Sequence, residues 1–186
     1  MQMKRQVALL RGINVGRAKR VAMADLRALV EGLGYTDVRT LLNSGNVLFT
    51  APDAPGESAA RMEAALAERL GISSRILALT AEELATVVAE NPLAEIAENP
   101  SRLLVGFLFD PEDRKRVEPL LKEDWGSESL AVGSRAVYYW CPNGVLEGAL
   151  APAIGRVLGD AVTARNWSTV QKLHALAPAS ASPPTS

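Results

Sequence analysis

The side chains best suited to recognising a charged group gather near the start of the chain. Lys4, Arg5, Arg11, Arg17, Lys19 and Arg20 all precede the first acid, Asp25. Residues 1–50 hold eight Lys/Arg against three Asp/Glu, whereas residues 51–160 hold ten against eighteen. That asymmetry sets up a local positive field favouring an anionic ligand, although a solvated basic loop has the same composition. Arg11 and Asn14 flank the end of an apolar run, Val7–Leu10, where a chain leaving a sheet places binding groups. Arginine offers a fork of five donors matched to carboxylate or phosphate, and asparagine both donates and accepts. Each also has a structural use: Arg11 in an ion pair with a core carboxylate, Asn14 in bonds to its own turn.

Two later groups carry polar chemistry. Asn43, Ser44 and Asn46 surround Gly45 and read first as turn residues, chosen for backbone conformation. Arg165, Asn166 and Trp167 fall at a strand-to-helix junction, whose free amides suit an anion. There the structural alternatives are an Asn166 helix cap, internal pairing of Arg165 and a core position for Trp167. Nothing assembles a nucleophile pair, and the catalytic residues stay unassigned. His174 is the single histidine, so any Ser-His or Cys-His pair would have to use it. Cys141, the single cysteine, can form no internal disulfide and no thiolate metal site. Gly12 and Gly16 leave a G-x-x-x-G spacing that matches neither a Walker loop nor a dinucleotide fingerprint, and no metal or cofactor is expected.

The elements that must position these residues follow from periodicity. Val7–Leu10 and 103–109 are unbroken apolar runs, expected as strands buried on both faces. Met23, Leu26, Leu29, Val30 and Leu33 recur at helical spacing before Gly34. Strands over 38–42 and 47–50 bracket the Asn43–Asn46 turn. Met62, Ala65, Leu66 and Leu70 mark a second helix ended by Gly71, and 75–79 reads as a strand. The order is β-α-β-β-α-β. Thr80 and Glu83 then form a capping box for a connector helix, with Pro92 near its end. Asp110-Pro111 starts a helix that Pro119 ends or kinks. Strands over 128–132 and 136–140, a helix over 146–158 and a strand over 160–164 repeat the order, and a helix over 166–177 follows.

The expected architecture is therefore α+β, built as two ferredoxin-like repeats that intertwine. The first repeat spans 1–79, a helical connector 80–100 and the second repeat 101–164. A C-terminal helix over 165–177 precedes an Ala/Ser/Pro-rich tail, 178–186, expected to be disordered.

The stretch Ala8-Leu9-Leu10-Arg11-Gly12-Ile13-Asn14-Val15-Gly16, the turn Ser44-Gly45-Asn46-Val47 and the late run from Thr163 through Arg165-Asn166-Trp167 to Val170 resemble the domain of unknown function 1697 family. The likeness runs from Val7 to Leu176. It implies a fold similar to two intertwined ferredoxin-like repeats and brings no activity, cofactor or substrate. The family's usual Gly-Lys-Asn type loop here reads Gly16-Arg17-Ala18-Lys19-Arg20, and Leu41-Leu42-Asn43 stands where an aromatic is common.

These features point to a cytoplasmic binding domain for a small phosphate- or carboxylate-bearing molecule. A second reading is an enzyme acting by electrostatic positioning, with Arg11, Lys19 and Arg165 on an anionic metabolite. RNA binding ranks third, because the strands lack basic-aromatic alternation and the sequence pI is near 5.9. Location follows from the missing apolar segment at the N-terminus and from the absence of any apolar run of membrane-spanning length.

Overall fold

Four apolar residues in succession, with none of the polar interruptions of a half-exposed element, make Val7–Leu10 part of a strand flanked on both sides. In a computed structural model, which describes residues 2–15 and 19–178, strand β1 (Lys4–Leu10) lies between β3 (Asn46–Ala51) and β4 (Ile76–Thr80), antiparallel to both. β2 (Thr36–Leu41) completes a four-stranded sheet in the order β2-β3-β1-β4. A second antiparallel sheet contains β5 (Leu103–Leu108), β6 (Ser129–Val132), β7 (Ala136–Trp140) and β8 (Val162–Asn166), in the order β6-β7-β5-β8. Among the described residues six α-helices accompany the sheets: α1 (Met23–Gly32), α2 (Pro55–Leu70), α3 (Ala81–Ala89), α4 (Arg114–Val117), α5 (Leu150–Leu158) and α6 (Trp167–Leu176). The chain forms two compact units, one from its start through Ala85 together with the stretch from Leu173 on, the other Thr86–Lys172.

In the first unit the sheet buries Ala8, Leu10, Val47, Phe49 and Ile76 against Leu26, Leu29 and Val30 of α1 and Met62, Ala65 and Leu66 of α2. Val7 and Leu9, which alternate to the other face, are equally buried, as the unbroken run requires. α2 begins with a proline, Pro55, and ends on Gly71 at φ 64, where a residue without Cβ adopts the left-handed cap. Tyr35 stacks on Phe49 with ring centroids 5.2 Å apart. In the second unit Leu108, Val137, Tyr139 and Cys141 pack with Val117, Leu120, Leu150, Ile154 and Leu158.

Local signals set several boundaries. The Thr80 Oγ1 accepts from the Glu83 amide at 3.1 Å while the Glu83 carboxylate accepts from the Thr80 amide at 3.0 Å, so the capping box opens α3. The Asp110 carboxylate accepts from the Glu112 amide at 3.0 Å. Pro119 does not merely bend the helix that follows. It leaves a single α-turn, Arg114–Val117, between 3₁₀ segments at Pro111–Asp113 and Glu118–Lys122, because a proline there can supply no amide to the ladder. The helix expected over 146–158 starts only at Leu150. Leu146 is 94% exposed in the preceding turns, and the Glu128 carboxylate accepts from the amides of Ala149 and Leu150 at 2.8 and 3.2 Å, fixing the start by a contact distant in sequence. Of the tail at 178–186, residues 179–186 lie outside the described residues, and so do Gly16, Arg17 and Ala18 of the basic loop.

Candidate functional site

The loop leaving β1 is tied to the segment that leads into β4. The Arg11 amide donates to the Arg75 carbonyl at 2.9 Å, and the Arg11 carbonyl accepts from the Ser74 hydroxyl at 2.8 Å. Ile13 is fully buried beneath the β2–β3 turn, where Gly45 sits at φ 86. A Cβ on Gly45 would come 2.7 Å from Ile13 Cδ1, so the turn needs glycine for both space and conformation. Asn14 adopts φ 53, a left-handed conformation that asparagine tolerates better than most residues. Its side-chain amide donates to the carbonyls of Val21 and Asn43, both at 2.8 Å, and its oxygen accepts from the Val21 amide at 2.9 Å. Its backbone amide donates to the Lys19 carbonyl at 2.8 Å. Asn14 therefore closes the loop on itself and fastens it to the neighbouring hairpin. Lys19 Nζ donates to the Ser73 carbonyl.

Beside this clasp lies an open cleft of about 370 Å³, lined by Asn14, Arg20, Val21, Ala22 and Asn43. No acid lines it. Ala22 is the residue ahead of α1 and offers the helix no side-chain cap, and the first turn of that helix carries Asp25, whose amide donates to the Ala22 carbonyl at 3.0 Å. The expected residues thus separate. Asn14 and Asn43 frame the cleft, while Arg11 and Lys19 belong to the surrounding loop. Ser44 and Asn46 hold the turn: Asn46 is fully buried and its amide donates to the Leu41 carbonyl at 2.8 Å and to Ser44 Oγ at 2.9 Å. Arg20, a member of the basic run, lines the cleft without having been singled out by any motif.

At the other junction, in the second unit, the polar groups make bonds within the fold. The Asn166 side chain accepts from the Thr169 amide at 2.9 Å, capping α6. Trp167 is buried. Arg165 is 7% exposed and donates to Thr163 Oγ1 at 3.0 Å and to the Ala164 carbonyl at 2.8 Å. Burial lowers its guanidinium to about 10, so it is still charged at neutral pH.

Three polar clusters escaped the sequence reading because their members are far apart along the chain. Tyr35 Oη donates to Asp53 Oδ2 at 2.6 Å, and Arg61 reaches the same oxygen at 2.8 Å while lying 5.2 Å from the Tyr35 ring centre. The tyrosine hydroxyl and then the arginine hold the Asp53 carboxyl below the usual carboxylate range. Glu90 accepts from the Ser134 amide and hydroxyl at the β6–β7 turn. Glu128 caps α5 and, after burial, is the second reason the Cys141 thiol is pushed up to about 12. Among the described residues no three His, Cys, Asp or Glu side chains gather as a metal site would require, and no helix is long and apolar enough to cross a membrane.

Comparison with known proteins bears on the family and the fold. The family described as "Protein of unknown function (DUF1697)" matches residues 3–138. A solved structure of a conserved bacterial protein from Streptococcus pneumoniae superposes with a TM-score of 0.77 at 24% identity, covering 94% of this chain and 99% of that one. No curated protein is significantly similar in sequence.

Proposed function

This chain belongs to DUF1697, a family of proteins of unknown function, and we propose that it is a binding domain for a small phosphate- or carboxylate-bearing molecule. The observation that carries this reading is the acid-free cleft at the start of α1, with Arg20 on its wall and Asn14 and Asn43 framing it. A guanidinium beside an uncapped helix N-terminus favours an anion by charge and by donor geometry. Among the described residues the lining holds no His, Cys, Asp or Glu, which favours binding over acid-base chemistry. A small ligand is favoured over RNA because Phe49, Phe107, Tyr138, Tyr139 and Trp140, the aromatics of the sheets, are buried and offer bases no stacking surface. The same reading takes each unit as a ferredoxin-like repeat, supported by the shared β-α-β-β-α-β order and equivalent strand orders, and places the protein in the cytoplasm.

Thermal melting in inorganic phosphate, against chloride at equal ionic strength, tests the proposal. Saturation at a hundred times Kd stabilises by about 2.7 kcal/mol, a rise in Tm of roughly 5–10 °C for a chain of this size. Arg20→Ala should remove the rise. No rise, or an equal rise in the variant, would refute the site.

A further inference from the structure

In the second unit we infer a separate binding site, for a zwitterionic aliphatic α-amino acid, that does not depend on the anion reading of the cleft beside α1. The site is an open cleft of about 690 Å³, within the size range of small-molecule sites. Arg114, Glu118 and Leu121 line it from α4 and the 3₁₀ segment that follows, Val132 and Ser134 from the end of β6 and its turn, and Glu90 completes the polar part of the wall.

Arg114 and Glu118 stand at i, i+4, a spacing at which opposite charges on a helix normally meet. Arg27 and Glu31 do so in α1, in the same order, at 2.7 Å. Beside Arg114 itself, Lys115 pairs with Glu112 at 2.6 Å and Arg116 with Asp113 at 3.6 Å. Among the described residues, Arg114 and Glu118 form no ion pair with each other or with any other side chain. The cleft therefore carries a guanidinium and a carboxylate that the fold leaves unneutralised. Glu90 adds a fixed negative charge, held by the Ser134 amide at 3.0 Å and the Ser134 hydroxyl at 2.9 Å.

A bare anion entering this cleft meets Arg114 but also two carboxylates, and a bare cation meets the guanidinium. A molecule with a carboxylate and an ammonium on one carbon satisfies both charges: Arg114 takes the carboxylate through its fork of donors, and Glu118 accepts from the ammonium. The side chain of the ligand is set by the remaining lining. Leu121 is 47% exposed and Val132 half-buried, so an aliphatic group placed between them removes apolar surface from water.

The test is an amide NMR titration of the full chain with L-leucine, N-acetyl-L-leucine, L-leucinamide and glycine. L-leucine should give saturable shifts centred on Leu121, Val132, Gly133 and Ser134. Removing the ammonium in the acetyl compound, or the carboxylate in the amide, should each weaken binding about tenfold or more, the effect of losing one charge-assisted bond. Arg114→Gln and Glu118→Gln should weaken L-leucine by a similar factor and melt where the parent does, since neither side chain is ion-paired in the fold. No saturable shift with L-leucine, equal binding of the acetyl or amide compound, or binding that survives both substitutions would overturn the zwitterion site. Glycine binding as tightly as L-leucine would overturn the aliphatic wall.

Discussion

Replacing Asn14 with alanine should cost far more than its partly exposed position suggests. The substitution removes two bonds to the Val21 backbone and one to the Asn43 carbonyl. The bond to Asn43 is exposed, and water replaces it at little cost. The two bonds to Val21 are worth about 1 kcal/mol each, and the Val21 amide left without its acceptor adds to that loss. Alanine at φ 53 contributes roughly a further 1 kcal/mol of strain. Together these give a loss of about 2–4 kcal/mol, a large share of a typical 5–15 kcal/mol. Urea unfolding of the parent, Asn14→Ala and Asn14→Gly measures it. Glycine relieves the strain and keeps none of the side-chain bonds, so it should lie about 1 kcal/mol above alanine and still well below the parent. A loss under about 0.5 kcal/mol for alanine would show that the clasp does not hold the loop.

Asp53→Asn should lower stability at pH 7 by about 1–2 kcal/mol, the scale of a charge-assisted bond. Because the folded carboxyl is depressed by Tyr35 and Arg61, its contribution is present above the ordinary value near 3.9 and is lost as pH falls through the folded value, so parent and variant curves should converge in acid. The Cys141 thiol, pushed up to about 12 by burial and Glu128, should resist a thiol reagent at pH 8 in the folded protein and react at once in denaturant; rapid labelling without denaturant would contradict that environment. Gly148→Ala places a Cβ against the Glu128 carboxylate, so it should displace that group from the α5 amides and cost roughly 2 kcal/mol in a denaturant titration.

What could be read from the sequence was local. The unbroken run at Val7–Leu10 announced an interior strand, β7 matched its expected bounds from Ala136 to Trp140, and Thr80 with Glu83 declared the start of α3. What could not be read depended on distant partners. Helix periodicity favoured Leu146, but Glu128, twenty-one residues before Ala149, sets where α5 begins. The Tyr35, Asp53 and Arg61 cluster joins residues 18 and 26 apart with no spacing rule to reveal it. At the candidate site, the basic run lies beside the cleft, and Arg20, its last member, lines it. Asn14 was legible as a residue suited to a turn, yet only the fold shows its amide committed to Val21 and Asn43, with Arg20 on the cleft wall.

The most direct measurement is an amide NMR titration with inorganic phosphate at constant ionic strength. The account predicts saturable shifts centred on Arg20, Val21, Ala22, Met23 and Asn43, absent in Arg20→Ala. Shifts that never saturate, or that centre on the Arg165–Thr169 junction instead, would contradict it.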